Sequence, residues 1–578
     1  MKTWTHLPLC LLLALPGAGC SSDGGDGDTG SGGASAGGAA GSGGAAGSGG
    51  VAGAKGGAAG LSGEGGAAGT AGVADCGNEI APGEGQITTD RGQVKGAQSG
   101  ETWVYHSIPF AAPPVGARRW AAPAPAACWS EPRDGTDWGA DCAQLDNQGK
   151  GPVQGAEDCL QLNVWVPTKP AASPAPVLFW VHGGAFIVGG AAQLTLATRT
   201  YDGQKLAEQT GSVVVTTNYR LGPLGFLAHP ALDGTDGTSS GNLGLLDLIE
   251  ALRWVQRNGK AIGADPSKVL LFGESAGGAL VCDLVASPLT KGLFSSALSE
   301  SGPCSARPRE TSEQAGAKVA TAAQCDGASD VRACLQALSV DDLLLALPAV
   351  ADVAGFGSSY NPVIDGVVLP DAPLALISAG KHSAVPMIMG TNADETSKTV
   401  PLDQAATEQD YKLAVAALVG AASSAAVLDH YPATDYASPW AAYVALSSDA
   451  KFICPTRRVL RALAQGQTQP IYRYVYAHTL DNAPKQKVYG AAHGSEIPFV
   501  FGALSLAGYL ASAEEKALSA SIQGYWSRLG AQGDPNEPAA TAWPAWGPTD
   551  PYLRLDDAIS SPTGVRTTQC DYWDTFVP

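Results

Sequence analysis

The fold is decided by the stretch Gly273-Glu274-Ser275-Ala276-Gly277. It follows an apolar run over 268–272 that predicts a buried strand, and it precedes an apolar stretch over 279–286 that predicts a helix. A serine flanked by glycines between a strand and a helix is typical of a nucleophile elbow. Neighbours without a Cβ are needed because the chain must turn sharply around a strained serine. The stretch therefore indicates an α/β protein with Ser275 as its nucleophile.

A second apolar strand, over 176–181, is followed by the loop His182-Gly183-Gly184-Ala185-Phe186. In α/β-hydrolases a loop of this kind lends backbone N–H groups to a developing oxyanion, together with the residue after the nucleophile. Small residues suit such a loop because the backbone itself must approach the substrate. The expected oxyanion donors are Gly184, Ala185 and Ala276.

A general base should follow the nucleophile, since the order in this fold is serine, acid, histidine. Four histidines follow Ser275: His382, His430, His478 and His493. His382 precedes a predicted strand and His430 ends a predicted helix, so neither is expected at the strand ends that carry chemistry. His478 and His493 both follow one predicted strand. His493, in a loop of small residues, is favoured, and His478 is alternatively a packing residue at the strand end.

Three carboxylates are candidates for the acid that orients this histidine. Asp394 and Glu395 both follow the predicted strand over 385–389, and the pattern alone does not separate them. Asp365 precedes a glycine, and Asp-Gly at that place is typical of a turn.

Composition excludes some partners. The chain has 578 residues and a formal net charge of −19. Nucleic acids and anionic membrane surfaces both require clustered positive charge, so we expect neither as a partner.

The N-terminal part is predicted to direct export. Residues 1–19 have a short basic start and an apolar run too short to span a bilayer, which indicates a signal peptide. Cys20 follows small residues as in a bacterial lipobox, although Gly17 stands where a leucine is expected. Residues 20–75 are rich in Gly, Ala and Ser and predict a disordered tether. We expect an outer-membrane or cell-surface lipoprotein attached through Cys20, otherwise a secreted protein, with the catalytic domain over 76–578.

The catalytic part resembles the type-B carboxylesterase/lipase family, from about Gly92 to Asp574, as an exported bacterial member. The motifs that carry the resemblance are IPFAAPPVG at 108–116, EDCLQLNV at 157–164, NYRLG at 218–222, NLGLLD at 242–247, GESAGG at 273–278, HGSEIPF at 493–499, GDPN at 533–536 and CDYW at 570–573. The resemblance implies an α/β-hydrolase fold, in which a large, mostly parallel central sheet is flanked by helices.

The resemblance also implies roles for individual residues. Ser275 is the implied nucleophile, Glu395 the acid and His493 the base. Glu274 is implied as an extra carboxylate beside the site, and Ser301 as a buried hydroxyl behind it.

Cross-links and ion pairs are implied in the same way. Ten cysteines remain outside the signal peptide and Cys20, and no C-x-x-C occurs, so disulfides are expected for an exported domain. The resemblance implies the pairs Cys142–Cys159, Cys325–Cys334 and Cys454–Cys570, and leaves Cys76, Cys128, Cys282 and Cys304 unassigned. It also implies the ion pairs Arg119–Glu157 and Arg220–Asp247.

The chain departs from the family pattern at a few positions. Thr396 stands where a glycine usually follows the acid, and Ala185 replaces the third glycine of the oxyanion loop. Neither change removes a backbone donor. In cholinesterases, the loop that corresponds to 142–159 supplies an aromatic face for a quaternary ammonium. Here that loop contains no tryptophan. Choline esters are not expected as substrates.

The expected reaction is acyl transfer from a small-molecule or lipid ester, with no metal or organic cofactor. Alternatives are a lipase or thioesterase using the same site, or a catalytically silent adhesion protein on the same fold. A lipase needs an apolar lid, for which residues 343–350 are apolar enough, but they fit a core helix equally well. Asp233 and Asp236 suggest calcium only weakly, because a distal glutamate is missing, and a surface turn is favoured. The sequence predicts neither the natural ester nor the oligomeric state.

Overall fold

The computed structural model describes Cys76 and residues 83–576, except for 146–151, 196–197, 236, 349–358 and 506–507. The predicted signal peptide (1–19), Cys20 and the tether (20–75) lie outside the described residues. Asp236 and the end of the apolar stretch 343–350 also lie outside them. These expectations remain predictions.

The centre of the fold is one sheet of ten strands. In chain order the strands are Ala97–Ser99 (β1), Thr102–Pro109 (β2), Gln161–Pro167 (β3), Ala175–Val181 (β4), Val213–Thr217 (β5), Ala264–Glu274 (β6), Ser296–Glu300 (β7), Met387–Asn392 (β8), Ile471–Tyr476 (β9) and Leu553–Leu555 (β10). Their spatial order is β10-β9-β8-β7-β6-β4-β5-β3-β2-β1.

Most neighbouring strands are parallel. Every pair from β10 to β5 along the sheet is parallel, and only the pairs that involve β1, β2 and β3 are antiparallel. The ends of the parallel strands are in register, with Glu274 of β6 opposite Glu300 of β7, and Glu300 opposite Gly390 of β8. The residues that follow β6, β7, β8 and β9 therefore meet at one edge of the sheet. This arrangement confirms the predicted large, mostly parallel sheet.

Helices cover both faces of the sheet. In chain order they are Gln204–Thr210 (α1), Gly222–Phe226 (α2), Leu243–Asn258 (α3), Ala276–Ala286 (α4), Arg309–Ala322 (α5), Val331–Ala337 (α6), Val340–Ala346 (α7), Pro373–Ser378 (α8), Glu408–Val419 (α9), Ala421–His430 (α10), Pro439–Ser448 (α11), Cys454–Gly466 (α12), Pro484–Lys487 (α13), Ile497–Val500 (α14), Ala513–Gln532 (α15) and Thr567–Thr575 (α16).

Side-chain alternation along β6 explains the two layers. Val269 and Leu271 pack in the core that contains α3 and α4, whereas Leu270 and Phe272 pack in the core that contains α15. Successive side chains of a strand point to opposite faces, so a continuous apolar run is expected only where both faces are covered. A third core joins α9, α11 and α16.

Small elements complete the described chain. The two-stranded sheets are Gln144–Leu145 with Val153–Gln154, Leu194–Thr195 with Thr198–Arg199, and Arg307–Pro308 with Val363–Ile364, and a three-stranded sheet contains Gln86–Thr88, Gln93–Lys95 and Arg133–Asp134. A π-helical turn, Asp449–Ile453, lies between α11 and α12.

All three implied disulfides are present, which confirms those predictions. The four unassigned cysteines form the pairs Cys76–Cys128 and Cys282–Cys304. The second pair ties α4, the helix behind Ser275, to the segment after β7.

Both implied ion pairs are also present, and this confirms them. Arg119 Nε lies 2.6 Å from Glu157 Oε1, and Arg220 Nη2 lies 2.7 Å from Asp247 Oδ1. Arg119 also donates to the carbonyl of Leu338, just before α7. The pair therefore links the segment after β2 to the helices that follow β7.

Some predicted boundaries differ from the structure. The strand before Ser275, predicted over 268–272, begins at Ala264, and its pairing with β4 is irregular between Ala264 and Val269. Leu343 and Leu344 are buried on α7, as expected for a core helix. Among the described residues, no helix combines the length and the apolar composition needed to cross a membrane.

Candidate active site

Ser275 occupies a sharp turn between β6 and α4. Its backbone has φ 57° and ψ −123°, a strained conformation for a residue with a side chain. The turn is fixed from both sides, because the Ser275 N–H donates to the Glu300 carbonyl at 2.9 Å and its carbonyl accepts from Ala279 N–H at 2.9 Å. This is the geometry of a nucleophile elbow, with a helix N-terminus behind the serine.

The glycines on either side of the elbow have no room for a side chain. A Cβ on Gly273 would lie 2.5 Å from the Val181 carbonyl oxygen, and one on Gly277 would lie 2.1 Å from the same atom. The elbow therefore packs directly against the end of β4. This close approach is the physical reason for the glycines in the motif.

The loop after β4 reaches Ser275. A Cβ built on Gly183 would lie only 3.0 Å from Ser275 Cβ. Ala185 and Phe186 both have positive φ, at 55° and 64°, so this loop is a tightly wound turn. Among the described residues, no acceptor takes the N–H groups of Gly184, Ala185 or Ala276. The three predicted donors are thus free to bind an anion beside Ser275.

His182, the first residue of this loop, is held in place by Tyr219. Its ring stacks on Tyr219 with centroids 4.4 Å apart, and its Nδ1 lies 2.8 Å from the Gly183 carbonyl. Tyr219 donates its hydroxyl to the His182 carbonyl at 2.9 Å. Burial lowers the pKa of His182 to about 4, so the ring is neutral and acts as packing.

Glu395 and His493 form a short polar pair at the edge of the sheet. Glu395 lies in the turn after β8, and its Oε2 is 2.6 Å from His493 Nδ1. The other oxygen, Oε1, accepts from Ser301 Oγ at 2.6 Å and from Asn392 N–H at 2.8 Å. Each carboxylate oxygen is thus held, and the carboxylate in turn fixes the orientation of the imidazole.

A second carboxylate lies on the other side of the imidazole. Glu274 Oε1 is 3.2 Å from His493 Nε2. That nitrogen is buried and makes no hydrogen bond with the described residues, so the structure shows no Ser275–His493 hydrogen bond. Such bonds often tighten only when substrate is bound. The ring of Phe452, from the π-helical turn, packs on the imidazole at 4.9 Å.

The charges around His493 favour its protonated form. Burial lowers the pKa of this imidazole, but the negative charges of Glu274 and Glu395 outweigh burial and raise it to about 9. Burial raises the pKa of Glu274 to about 7, against the opposing effect of His493. The ionisation of each group therefore depends on the charge of the other.

Two further buried glutamates were missed by sequence reasoning. Glu496 follows His493 in the HGSE motif, and burial raises its pKa to about 8, helped by Glu274 and Glu395. Glu300, at the end of β7, accepts from Trp526 Nε1 at 2.7 Å, and burial raises its pKa well above its usual value. The motif contains Glu496, but sequence does not reveal its burial.

The other histidines lie elsewhere. His382 Nε2 is 2.9 Å from Gln467 Oε1, and His430 stacks on Tyr572 at the end of α10. His478 is buried between Glu515 and Asp557, 3.0 and 2.9 Å from its two ring nitrogens. Only His493 among these four meets one of the acid candidates.

The other two acid candidates, Asp394 and Asp365, accept hydrogen bonds from backbone N–H groups of nearby loops. Asp394 accepts from Ala491 N–H at 3.1 Å, in the loop that carries His493. Asp365 accepts from the N–H groups of Val367 and Leu369, which is the turn expected from the sequence.

Two groups of side chains have the spacing of metal ligands, and both include His478. One adds Asp481 and Glu515, and the other adds Asp556 and Asp557. Glu515 Oε1 already accepts from His478 and from the Tyr509 hydroxyl at 2.6 Å. Hydrogen bonds within the first group thus account for its geometry without a metal.

Comparison with known proteins decides the family. Residues 83–573 match the sequence model of the Carboxylesterase family. The chain belongs to this family. As a carboxylesterase it is a carboxylic ester hydrolase, and the elbow, the loop after β4 and the Glu395–His493 pair lie within the matched range.

Individual relatives agree with this assignment. The carboxylesterase is 36% identical over 490 residues to the para-nitrobenzyl esterase of Bacillus subtilis (strain 168), covering 82% of this chain and 95% of that protein. It is 33% identical over 491 residues to the fumonisin B1 esterase of Sphingopyxis macrogoltabida, covering 82% and 87%.

A solved structure shows the same fold. A thermophilic PNB esterase superposes with a TM-score of 0.73 at 31% sequence identity, covering 84% of this carboxylesterase and 99% of that chain. The α/β-hydrolase fold expected from the motifs is therefore confirmed.

Proposed function

We propose that this carboxylesterase hydrolyses esters through an acyl-enzyme on Ser275, with His493 as general base and Glu395 as the acid that orients it. His493 takes the Ser275 proton as the hydroxyl oxygen attacks the ester carbonyl carbon. The proton then passes to the departing alcohol, and the acyl group stays on Ser275. Water repeats the sequence on the acyl-enzyme, releases the carboxylic acid and regenerates the serine.

The observation that carries this proposal is the 2.6 Å contact between His493 and Glu395 at the strand ends beside the Ser275 elbow. A serine, a partly buried histidine and a carboxylate at adjacent strand ends are the parts that acyl transfer needs. Both flanking carboxylates stabilise the imidazolium that forms during attack, and the same charges raise the pKa of His493.

The oxyanion would be bound by the N–H groups of Gly184, Ala185 and Ala276. They lie on two elements in contact, since Gly183 packs against Ser275. Such donors act strongly because they are already oriented before charge develops, and losing one typically costs about 10²–10³ in rate.

For substrate class, we propose neutral esters of small alcohols or phenols. Support comes from the relative named para-nitrobenzyl esterase, which the chain matches over most of its length. The negative charges of Glu274 and Glu395 beside the imidazole also disfavour substrates that carry an anionic substituent close to His493.

The test is hydrolysis of p-nitrophenyl esters from acetate to palmitate by the full chain and by Ser275→Ala. Short-chain turnover that disappears in the variant, together with stoichiometric inactivation by an organophosphate, is expected. Preference for long chains would make it a lipase, and faster turnover of matched acyl-thioesters a thioesterase. A folded protein that hydrolyses nothing and resists the organophosphate would contradict the enzyme proposal and favour an adhesion role.

We further propose that the protein is exported, with Cys20 lipidated and residues 20–75 acting as a tether. Five disulfides in the described part support an oxidising compartment. Metabolic labelling with a fatty-acid analogue, compared between the natural chain and Cys20→Ala, tests it. Equal labelling of both proteins would argue against lipidation at Cys20.

A further inference from the structure

The loop that carries His493 is held residue by residue by the turn that carries Glu395. Between Tyr489 and His493, only Gly490 makes no direct hydrogen bond to the segment 392–397. Ser397 Oγ donates to the Tyr489 carbonyl at 2.6 Å, at the start of this loop. His493 N–H donates to the Glu395 carbonyl at 3.0 Å, at its end. The imidazole is therefore positioned by backbone contacts as well as by the Glu395 carboxylate.

Asp394 fixes the middle of the loop through two hydrogen bonds. Its N–H donates to the Ala491 carbonyl at 3.0 Å, and its Oδ2 accepts from Ala491 N–H at 3.1 Å. The loop lies so close that a Cβ on Gly490 would be 2.1 Å from the same Oδ2, and Gly490 has φ +61°. Gly490 thus lets the chain pass directly over the Asp394 carboxylate.

Asn392 fixes the next residue and reaches further. Its Nδ2 donates to the Ala492 carbonyl at 2.8 Å and to Glu496 Oε2 at 2.5 Å. Its backbone N–H donates to Glu395 Oε1 at 2.8 Å. Asn392 is fully buried, so all these contacts are shielded from water.

We infer that Asn392 and Asp394 are positioning residues for the base, which set the place of His493 by fixing the loop 490–493, and that Asn392 also connects Glu496 to the triad acid. This inference rests on the proposed function, since it assigns roles only if His493 acts on Ser275. Neither side chain has a hydrogen bond to the imidazole. Each acts through the backbone of Ala491 or Ala492.

The two residues should differ in one respect. The pKa of His493 is raised by Glu274, Glu395 and Glu496, so the ionisation of Glu496 affects the base. Asn392 favours the ionised form of Glu496 by donating to it. Without this donor Glu496 keeps its proton to higher pH, the field at His493 becomes less negative, and the imidazole loses its proton at lower pH. Asp394 has no hydrogen bond with Glu496.

The experiment compares Asn392→Ala, Asp394→Ala and Asp394→Asn on p-nitrophenyl acetate, with kcat and KM measured separately across pH. Both alanine variants should lose about 10²-fold in kcat at nearly unchanged KM, the size of effect that misplacing a catalytic group has. Asp394→Asn keeps an oxygen acceptor for Ala491 and should regain most of the activity. Only Asn392→Ala should move the acidic limb of kcat/KM to lower pH.

Thr391→Val is the matched control. Thr391 precedes Asn392 on β8, is equally buried, and its Oγ1 has no hydrogen-bond partner among the described residues. Circular dichroism establishes that each variant is folded. If Asn392→Ala does not fold, the two Asp394 variants make the same comparison.

The outcomes separate the two proposals. Activity that survives Ser275→Ala overturns the proposed function and this inference with it. An inactive Ser275→Ala combined with folded Asn392→Ala and Asp394→Ala variants whose kcat equals that of Thr391→Val overturns the inference alone. The inference alone is also overturned if both alanine variants raise KM and leave kcat unchanged.

Discussion

Glu274 Oε1 lies 3.2 Å from His493 Nε2, on the side of the imidazole opposite Glu395. The residue that precedes the nucleophile therefore contributes a charge directly to the base. This contact links the elbow to the loop after β9, and it makes the ionisation of the base dependent on a residue outside the triad.

Glu274→Gln is expected to shift the pH dependence of hydrolysis. A carboxylate beside an imidazole stabilises the imidazolium, and the pKa of His493 is raised to about 9. Removing the charge lowers this pKa, so the unprotonated base persists to lower pH. The acidic limb of kcat/KM for a neutral ester should move to lower pH, as measured by initial rates across the pH range.

The same substitution at the surface is the control for this prediction. Glu408 lies on α9, pairs with Lys412, and is 62% exposed. Glu408→Gln should leave the pH profile in place. A Glu274→Gln profile that coincides with the wild-type profile would show that Glu274 does not influence the base.

Ser301→Ala is expected to lower kcat with little change in KM. It removes the 2.6 Å hydrogen bond from Ser301 Oγ to Glu395 Oε1, and a hydrogen bond to a charged group contributes ~1.5–3 kcal/mol. The expected loss in kcat is about tenfold or more. Ser296→Ala is the matched control, because Ser296 lies on β7, the strand that ends just before Ser301, and its buried Oγ has no partner among the described residues. Equal kcat values in the two variants would contradict the prediction.

Asp247→Ala should destabilise the protein strongly. The carboxylate is fully buried and meets Arg220 through two side-chain contacts at 2.7 and 2.8 Å. Removing one partner leaves an unpaired buried charge, which costs about 3–5 kcal/mol. Urea unfolding measures this loss. Glu408→Ala, which breaks the exposed pair with Lys412, should cost at most about 1 kcal/mol. Similar midpoints for the two variants would argue against this role of burial.

Two of the disulfides, Cys454–Cys570 and Cys325–Cys334, should contribute differently to the free energy of unfolding. Cys454–Cys570 joins residues 116 apart, whereas Cys325–Cys334 joins residues 9 apart. The longer cross-link restricts the unfolded chain more, by about 2 kcal/mol in the loop-entropy description. Removing both cysteines of the longer pair should therefore lower the free energy of unfolding more. A larger loss from the shorter pair would contradict the prediction.

The elbow and the sheet could be predicted because their physical requirements are local. Gly273 and Gly277 are needed wherever a strand turns sharply into a helix, and the apolar runs before Ser275 and His182 mark strands that are covered on both faces. The pattern alone left two choices open, His478 or His493 as the base and Asp394 or Glu395 as the acid. The family resemblance was needed to make both choices.

Features that depend on distant segments could not be predicted. Cys282 and Cys304 pair because the segment after β7 returns to α4, and spacing does not encode that return. Glu496 was visible in the sequence, but its burial beside Asn392 depends on how the loop after β9 packs on β8. The strand predicted over 385–389 instead spans Met387–Asn392, so it ends three residues later than expected.

The sheet order has a consequence for refolding. The site requires β6, β7, β8 and β9 side by side, although long stretches of chain separate them. Parallel pairings between distant segments form slowly, because the intervening chain must be ordered before they stabilise anything. After dilution from denaturant, secondary structure should return before hydrolysis does. The rate at which activity returns then measures how fast β9 pairs with β8.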